Sequence, residues 1–167
     1  KLKIINMIRV GIVGYGYWGK NLVRNFNSLI ICDLVYVCEK DEKNAQNCRQ
    51  QYPNINVVPD YNTLLSDDSL DAVVIATPPA CHVQMAVQAL SQGLAVLLEK
   101  PMATSSREAD LIREAVISGG RPFMVGHVHL HSAAFQELKK CIGRAEPIRE
   151  IGSVGGGWGP FRKRYRG

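Results

Sequence analysis

A doubly wound α/β sheet, in which parallel strands alternate with helices, is the fold the sequence predicts. Three observations predict it. A Gly14-x-Gly16-x-x-Gly19 turn joins a short apolar run to an amphipathic stretch. An acid, Glu39, ends the next apolar run, twenty residues after Gly19. Strand and helix signals then alternate along the chain, as βαβ units require.

Ile8 to Val13 is apolar and rich in β-branched residues, as a strand buried on both faces should be. Trp18, Leu22 and Phe26 recur at four-residue steps and mark one face of the first helix. Leu34 to Cys38 is the second strand, and Asp41 to Tyr52 a polar helix stopped by Pro53. Val57-Val58 is a short third strand, followed by a one-turn helix around Thr63 to Ser66 and a fourth strand over Ala72 to Ala76. Val83, Val87 and Leu90 stripe a helix that ends at Gly93. After a fifth strand, Ala95 to Leu98, the capping box Ser105-x-x-Glu108 opens a helix carrying Leu111, Ile112, Ala115 and Val116, closed by Gly119-Gly120. Phe123 to Val125 is the sixth strand, Ala134 to Ile142 a helix, and Ile148 to Val154 the start of another strand. Six strands make two mononucleotide-binding halves with expected order 3-2-1-4-5-6 and right-handed crossovers. The domain division expected is 1–145 for this dinucleotide-binding unit and 146–167 for the beginning of a second domain or a tail.

The 167 residues, 46% hydrophobic and 21% charged, fit one ordinary globular core. No apolar run approaches the length of a membrane span, Asn6 and Arg9 interrupt any signal-like stretch, and the cytoplasm is the expected compartment. Five cysteines, odd in number and widely spaced, read as reduced packing residues. His127, His129 and His131 alternate as strand residues on one face would, but no carboxylate or cysteine completes a ligand set, and no metal is expected. Of the net charge of +5, Arg162, Lys163, Arg164 and Arg166 supply four, so the remainder is nearly neutral. That terminal cluster, with Tyr165 its one aromatic, reads as a solvated tail or a cut edge, and nucleic acid is not an expected partner.

The glycine turn carries the chemistry. Gly14 supplies the tight turn, Gly16 lets backbone approach a pyrophosphate, and Gly19 lets helix and strand pack closely. The unpaired amides at the start of the helix, with Tyr17 and Trp18 leading into it, attract the anion. Tyr15 and Tyr17 are also the side chains able to block the loop. Glu39 can accept hydrogen bonds from the adenosine ribose and would repel a 2′-phosphate, which favours NAD. Lys40 beside it weakens the preference and leaves NADP open. Ligands of an open parallel sheet lie outside the carboxyl ends of its strands, so the other segments of interest are Thr77-Pro78-Pro79 with His82, Glu99-Lys100-Pro101, and Gly126-His127-Val128-His129.

Together these residues resemble the glucose-fructose oxidoreductase / inositol dehydrogenase family, also called Gfo/Idh/MocA. The resemblance runs from about Ile8 to Val154. It rests on the glycine turn, on Ala76-Thr77-Pro78-Pro79 with His82, on Glu99-Lys100-Pro101 and on Val125-Gly126-His127. It implies that Lys100 lies at the nicotinamide and at the sugar hydroxyl being oxidised, orienting the substrate and relaying its proton. A lysine partly buried against the cofactor can exchange that proton near neutral pH and steady the developing alkoxide. Glu99 would orient Lys100 or a neighbour, Thr77, Pro78 and His82 would position the cofactor, and His127 and His129 would face the substrate. Val125-Gly126-His127 followed by Phe135 and Leu138 looks most like the branch acting on nucleotide-linked sugars. Family members continue into a second α/β domain that walls the substrate and mediates homo-oligomerisation. The chain is therefore expected to be a fragment, a trimmed chain or a naturally short relative. The alternative function is a stand-alone, non-catalytic dinucleotide-binding module.

Overall fold

A computed structural model describes residues 7–142. The expected strand over Ile148–Val154, the basic cluster and the expected boundary at residue 145 lie outside these. The chain divides into two compact units at His127/Val128.

In the first unit six strands, β1 (Ile8–Val13), β2 (Cys32–Cys38), β3 (Asn56–Val58), β4 (Ala72–Ile75), β5 (Ala95–Leu98) and β6 (Phe123–Val125), form one sheet. Their order is β3-β2-β1-β4-β5-β6, and every adjacent pair is parallel. The order reverses between β1 and β4, which opens a crevice at their carboxyl ends. Five helices connect the strands: α1 (Gly19–Asn27), α2 (Glu42–Gln51), α3 (Tyr61–Leu65), α4 (His82–Ser91) and α5 (Ser106–Gly119).

Period-two alternation along the strands sorts their side chains into two cores. Val73, Ile75, Val96 and Leu98 pack with Leu64, Ala86, Leu90 and Ile112 on one face. Val10, Ile12, Leu34, Val37 and Val74 pack with Val23, Cys48 and Ile55 on the other. At the margin of the second core, an apolar groove lined by Phe26, Val74, Leu97 and Met124 lies on the sheet face rather than at the strand ends. At the amino ends Arg9 ties the sheet together. Its guanidinium bonds Asp33 at 3.1 Å and Ser69 at 3.0 Å, and its backbone N–H donates to Asp71 at 2.8 Å.

Several local expectations are corrected. Trp18 precedes α1, and the buried face of that helix is Gly19 and Val23, with Leu22 and Phe26 packed at its margin. On α4 the buried residues are His82, Ala86, Ala89 and Leu90, so the more hydrophobic Val83 and Val87 sit at the edge of the buried face. Small residues win the central positions there because α4 and α5 pack directly against each other. The capping box expected at Ser105-x-x-Glu108 does open α5, with its reciprocal contact made to Thr104. Ser105 accepts from the Glu108 N–H, while the Glu108 carboxylate reaches back to the N–H and hydroxyl of Thr104. Gly120, at φ +60°, ends α5 in the left-handed conformation.

In the second unit Val128–His131 is a single 3-10 turn, and a helix α6 spans Ala133–Ile142. The strand imagined through His127, His129 and His131 is therefore absent, and the argument for one shared face lapses. No helix among the described residues is long and apolar enough to cross a membrane.

The cores hold titratable groups that burial keeps neutral. Burial pushes the Cys38 and Cys48 thiols up to about 11 and the Tyr15 phenol up to about 12; Tyr61 is raised too. Above the ordinary thiol value of 9.0 the unfolded chain holds fewer protons than the folded one, so stability falls as pH rises. The urea midpoint should accordingly decline between about pH 9 and about pH 11, with little change between about pH 7 and about pH 8. A midpoint constant up to about pH 11 would contradict burial of these groups.

Candidate dinucleotide site

The loop from β1 into α1 is shaped by missing side chains. Gly14 has φ +97°, and a Cβ there would lie 2.7 Å from the Ala76 carbonyl oxygen at the end of β4. A Cβ on Gly19 would lie 1.9 Å from the Gly14 carbonyl oxygen, so the first turn of α1 presses on the loop that precedes it. A Cβ on Gly16 would meet nothing within 4 Å. The amides of Gly16, Tyr17 and Trp18 donate to no group among the described residues. Bare backbone, free N–H donors and a helix amino terminus together form an anion cradle. Neither tyrosine fills it. The Tyr15 ring is buried in the core, 1% exposed, with its hydroxyl donating to Gln51 at 3.0 Å, and Tyr17 is 81% exposed.

Glu39 stands at the carboxyl end of β2 beside this loop. One carboxylate oxygen accepts from the Tyr15 N–H at 2.7 Å and the other from the Asp41 N–H at 2.8 Å. Two backbone donors fix its position and leave its remaining lone pairs for ribose hydroxyls. Lys40 is exposed.

Across the crevice Glu99, at the carboxyl end of β5, is only 8% exposed. Its Oε1 accepts from the Trp18 indole Nε1 at 2.6 Å and its Oε2 from the Lys100 N–H at 3.2 Å. Gly126, just past β6, abuts the same carboxylate: a Cβ there would lie 2.8 Å from Oε1. Three loops thus meet on one carboxylate. Trp18, 41% exposed, belongs to this contact rather than to the helix face expected of it. Glu99 meets Lys100 through the lysine's backbone N–H, and the lysine side chain is exposed. Local patterns could not reveal the Trp18–Glu99 pair, because its members are 81 residues apart and only the strand order makes them neighbours.

His82 is 1% exposed, and both its ring nitrogens are occupied, Nδ1 with the Pro101 carbonyl and Nε2 with the Thr77 carbonyl, each at 2.8 Å. It clamps the loop after β4 to the loop after β5, so any influence on a ligand runs through those loops. Thr77 is half-buried, its hydroxyl 3.5 Å from the Met85 sulfur, and Pro78 is exposed. The Lys100–Pro101 bond is cis and Lys100 is exposed, so the partial burial expected of it is not supplied by the described residues. His127 and His129 are exposed and fall in different units. Among the described residues no group of three or more His, Cys, Asp or Glu could hold a metal ion.

The strand order, the cradle and an acid at the end of β2 make a dinucleotide-binding crevice. Residues 8–127 match the oxidoreductase family with an NAD-binding Rossmann fold, GFO_IDH_MocA. The chain belongs to the Gfo/Idh/MocA family. It is 31% identical over 134 residues to inositol 2-dehydrogenase of Acidothermus cellulolyticus, covering 79% of this chain and 39% of that protein. It is 25% identical over 138 residues to the scyllo-inositol 2-dehydrogenase (NADP(+)) of Bacillus subtilis, covering 83% and 38%. The solved structure of GenD2 from gentamicin A biosynthesis, in complex with NAD, superposes with a TM-score of 0.79 at 25% identity, covering 85% and 40%. The chain therefore spans about two fifths of the length of these relatives, and what it shares with them is the family's NAD-binding domain.

The Gfo/Idh/MocA glycine loop separates two roles that substitution can tell apart. Gly16→Ala should leave the thermal midpoint within about 2 °C and weaken NADH binding about tenfold or more, because the added methyl enters the space kept for phosphate. Gly19→Ala should lower the thermal midpoint by several degrees, since α1 must move off the loop. Loss of folding in Gly16→Ala, or none in Gly19→Ala, would reverse this assignment.

Proposed function

We propose that the chain is the cofactor-binding half of an NAD-dependent dehydrogenase that acts on a secondary hydroxyl of a sugar or nucleotide-linked sugar. The observation that carries this reading is the placement of Glu99-Lys100-Pro101 at the carboxyl end of β5, tied through Trp18 to the phosphate cradle. Glu39 takes the adenosine half on the β2 side, so the nicotinamide half extends over β4, β5 and β6. Lys100 is an exposed cation at the carboxyl end of β5.

A bound nicotinamide would supply the hydride acceptor. Gly16, Tyr17 and Trp18 hold the pyrophosphate by their N–H groups, Glu39 receives the ribose hydroxyls, and His82 fixes the two loops between which the ring enters. Lys100 Nζ accepts the hydroxyl proton as the alcohol carbon is oxidised and, once protonated, stabilises the oxyanion. Thr77 and Pro78 line the path of the cofactor, and His127, just past β6, contributes to the substrate side. The inositol dehydrogenases among its relatives favour a cyclic polyhydroxyl substrate. Val125-Gly126-His127 followed by Phe135 and Leu138 favours the nucleotide-sugar branch. Homo-oligomers are the assembly this reading expects.

The preference for NAD follows from Glu39. With its carboxylate pinned by two backbone donors, it cannot swing away from a 2′-phosphate, and Lys40 offsets only part of the repulsion. Fluorescence titration should show NADH binding about tenfold or more tighter than NADPH. Lys100→Ala should lower turnover of myo-inositol or nucleoside-diphosphate sugars by about a hundredfold or more, with NADH affinity changed less than about twofold. Tight dinucleotide binding with no turnover of any such alcohol would leave a binding module in place of a dehydrogenase.

A further inference from the structure

Two carboxylates bracket the glycine loop, and they are not equivalent. Glu39 contacts it on the β2 side through the Tyr15 N–H, and Glu99 on the β5 side through the Trp18 indole. Glu39 is half-buried, whereas Glu99 is 8% exposed and enclosed by Trp18, the Lys100 backbone and Gly126. Both donors to Glu99 are uncharged N–H groups, and among the described residues it has no ion pair. Lys100 meets it through its backbone, while the lysine side chain is exposed. Hydrogen bonds from neutral donors satisfy lone pairs without cancelling the charge, so a net negative charge persists in a poorly hydrated place.

We propose that Glu99 sets the redox-state preference of the bound dinucleotide, its carboxylate favouring the oxidised cofactor over the reduced one. This rests on the dehydrogenase reading only in placing the nicotinamide half over the carboxyl ends of β4 to β6. The oxidised nicotinamide ring carries a positive charge and the reduced ring none. A fixed negative charge beneath that half therefore attracts one form and is indifferent to the other. Glu39, on the adenosine side, faces groups that are the same in both forms and cannot discriminate between them. Glu99 thereby makes the chain poised to hold the cofactor in the form that receives electrons, and Gly126 allows the carboxylate to sit there because any side chain would displace it.

Isothermal titration of the chain with NAD⁺, NADH and ADP-ribose tests this. In Glu99→Gln the ratio Kd(NAD⁺)/Kd(NADH) should rise about tenfold, while the affinity for ADP-ribose, which lacks the nicotinamide, changes less than about twofold. Glu39→Gln should weaken all three ligands together and leave the ratio unchanged. Trp18→Phe removes one N–H donor from the carboxylate, leaves its charge less shielded, and should lower the ratio; it decides the matter should Glu99→Gln fail to fold. Equal losses of NAD⁺ and NADH in Glu99→Gln, or a ratio that rises in Trp18→Phe, would overturn the proposal and reduce Glu99 to a tether between loops. Failure of the wild-type chain to bind any of the three ligands would instead overturn the dinucleotide reading, and this proposal with it.

Discussion

The contact between Gly19 and the Gly14 carbonyl oxygen governs the geometry of everything at the carboxyl edge of the sheet. A side chain at residue 19 would intrude to 1.9 Å, so only a hydrogen at that position lets α1 begin so close beneath the loop. That closeness brings the amino terminus of α1 and the free amides of residues 16–18 together above the point where strand order reverses. It also sets where Trp18 falls. With α1 starting at Gly19, the residue before it is held over β5, within hydrogen-bond reach of Glu99. Gly14 completes the constraint from the other side, since its bare Cα rests against the Ala76 carbonyl oxygen at the end of β4.

From this arrangement follows a division of labour between buried and open groups. Groups that fix loops are buried or backbone-bonded: the His82 ring, the Glu99 carboxylate and the Glu39 carboxylate between its two N–H donors. Groups able to move with a ligand are exposed, as Tyr17, Lys40 and Lys100 are. A fixed frame with two exposed lysines beside it suits a site that holds an anionic cofactor. At the amino edge of the sheet Arg9 is held instead by acidic partners, Asp33, Asp67 and Asp71.

Much of this was legible in the sequence because it depends on short-range pattern. β-branched runs bounded by turns gave six strands with ends within two residues of those observed, and the glycine spacing identified the loop that organises them. What escaped was set by long-range contact. Trp18 fits a helical stripe with Leu22 and Phe26, yet α1 begins only at Gly19 and the indole donates to Glu99, which the strand order brings beside it. His82 is polar and follows a proline pair, which suggests a ligand-facing residue, and nothing local discloses that two carbonyls from different loops converge on it. Three alternating histidines imitate a strand, but the chain turns at Val128, where a 3-10 turn replaces the ladder.

The two mononucleotide halves end their middle strands alike, Cys38-Glu39-Lys40 after β2 and Leu98-Glu99-Lys100 after β5. In each the carboxylate turns toward the glycine loop and the lysine side chain is exposed. Similar words in the sequence acquire different meanings because the loop between them is asymmetric: on one side it offers a backbone amide, on the other an indole. Beside the backbone amide Glu39 stays half-buried, whereas Glu99, beside the indole, is almost wholly enclosed. Trp18 is therefore what gives a repeated Glu-Lys ending two unlike surroundings, one carboxylate held between backbone donors and one enclosed beneath an indole.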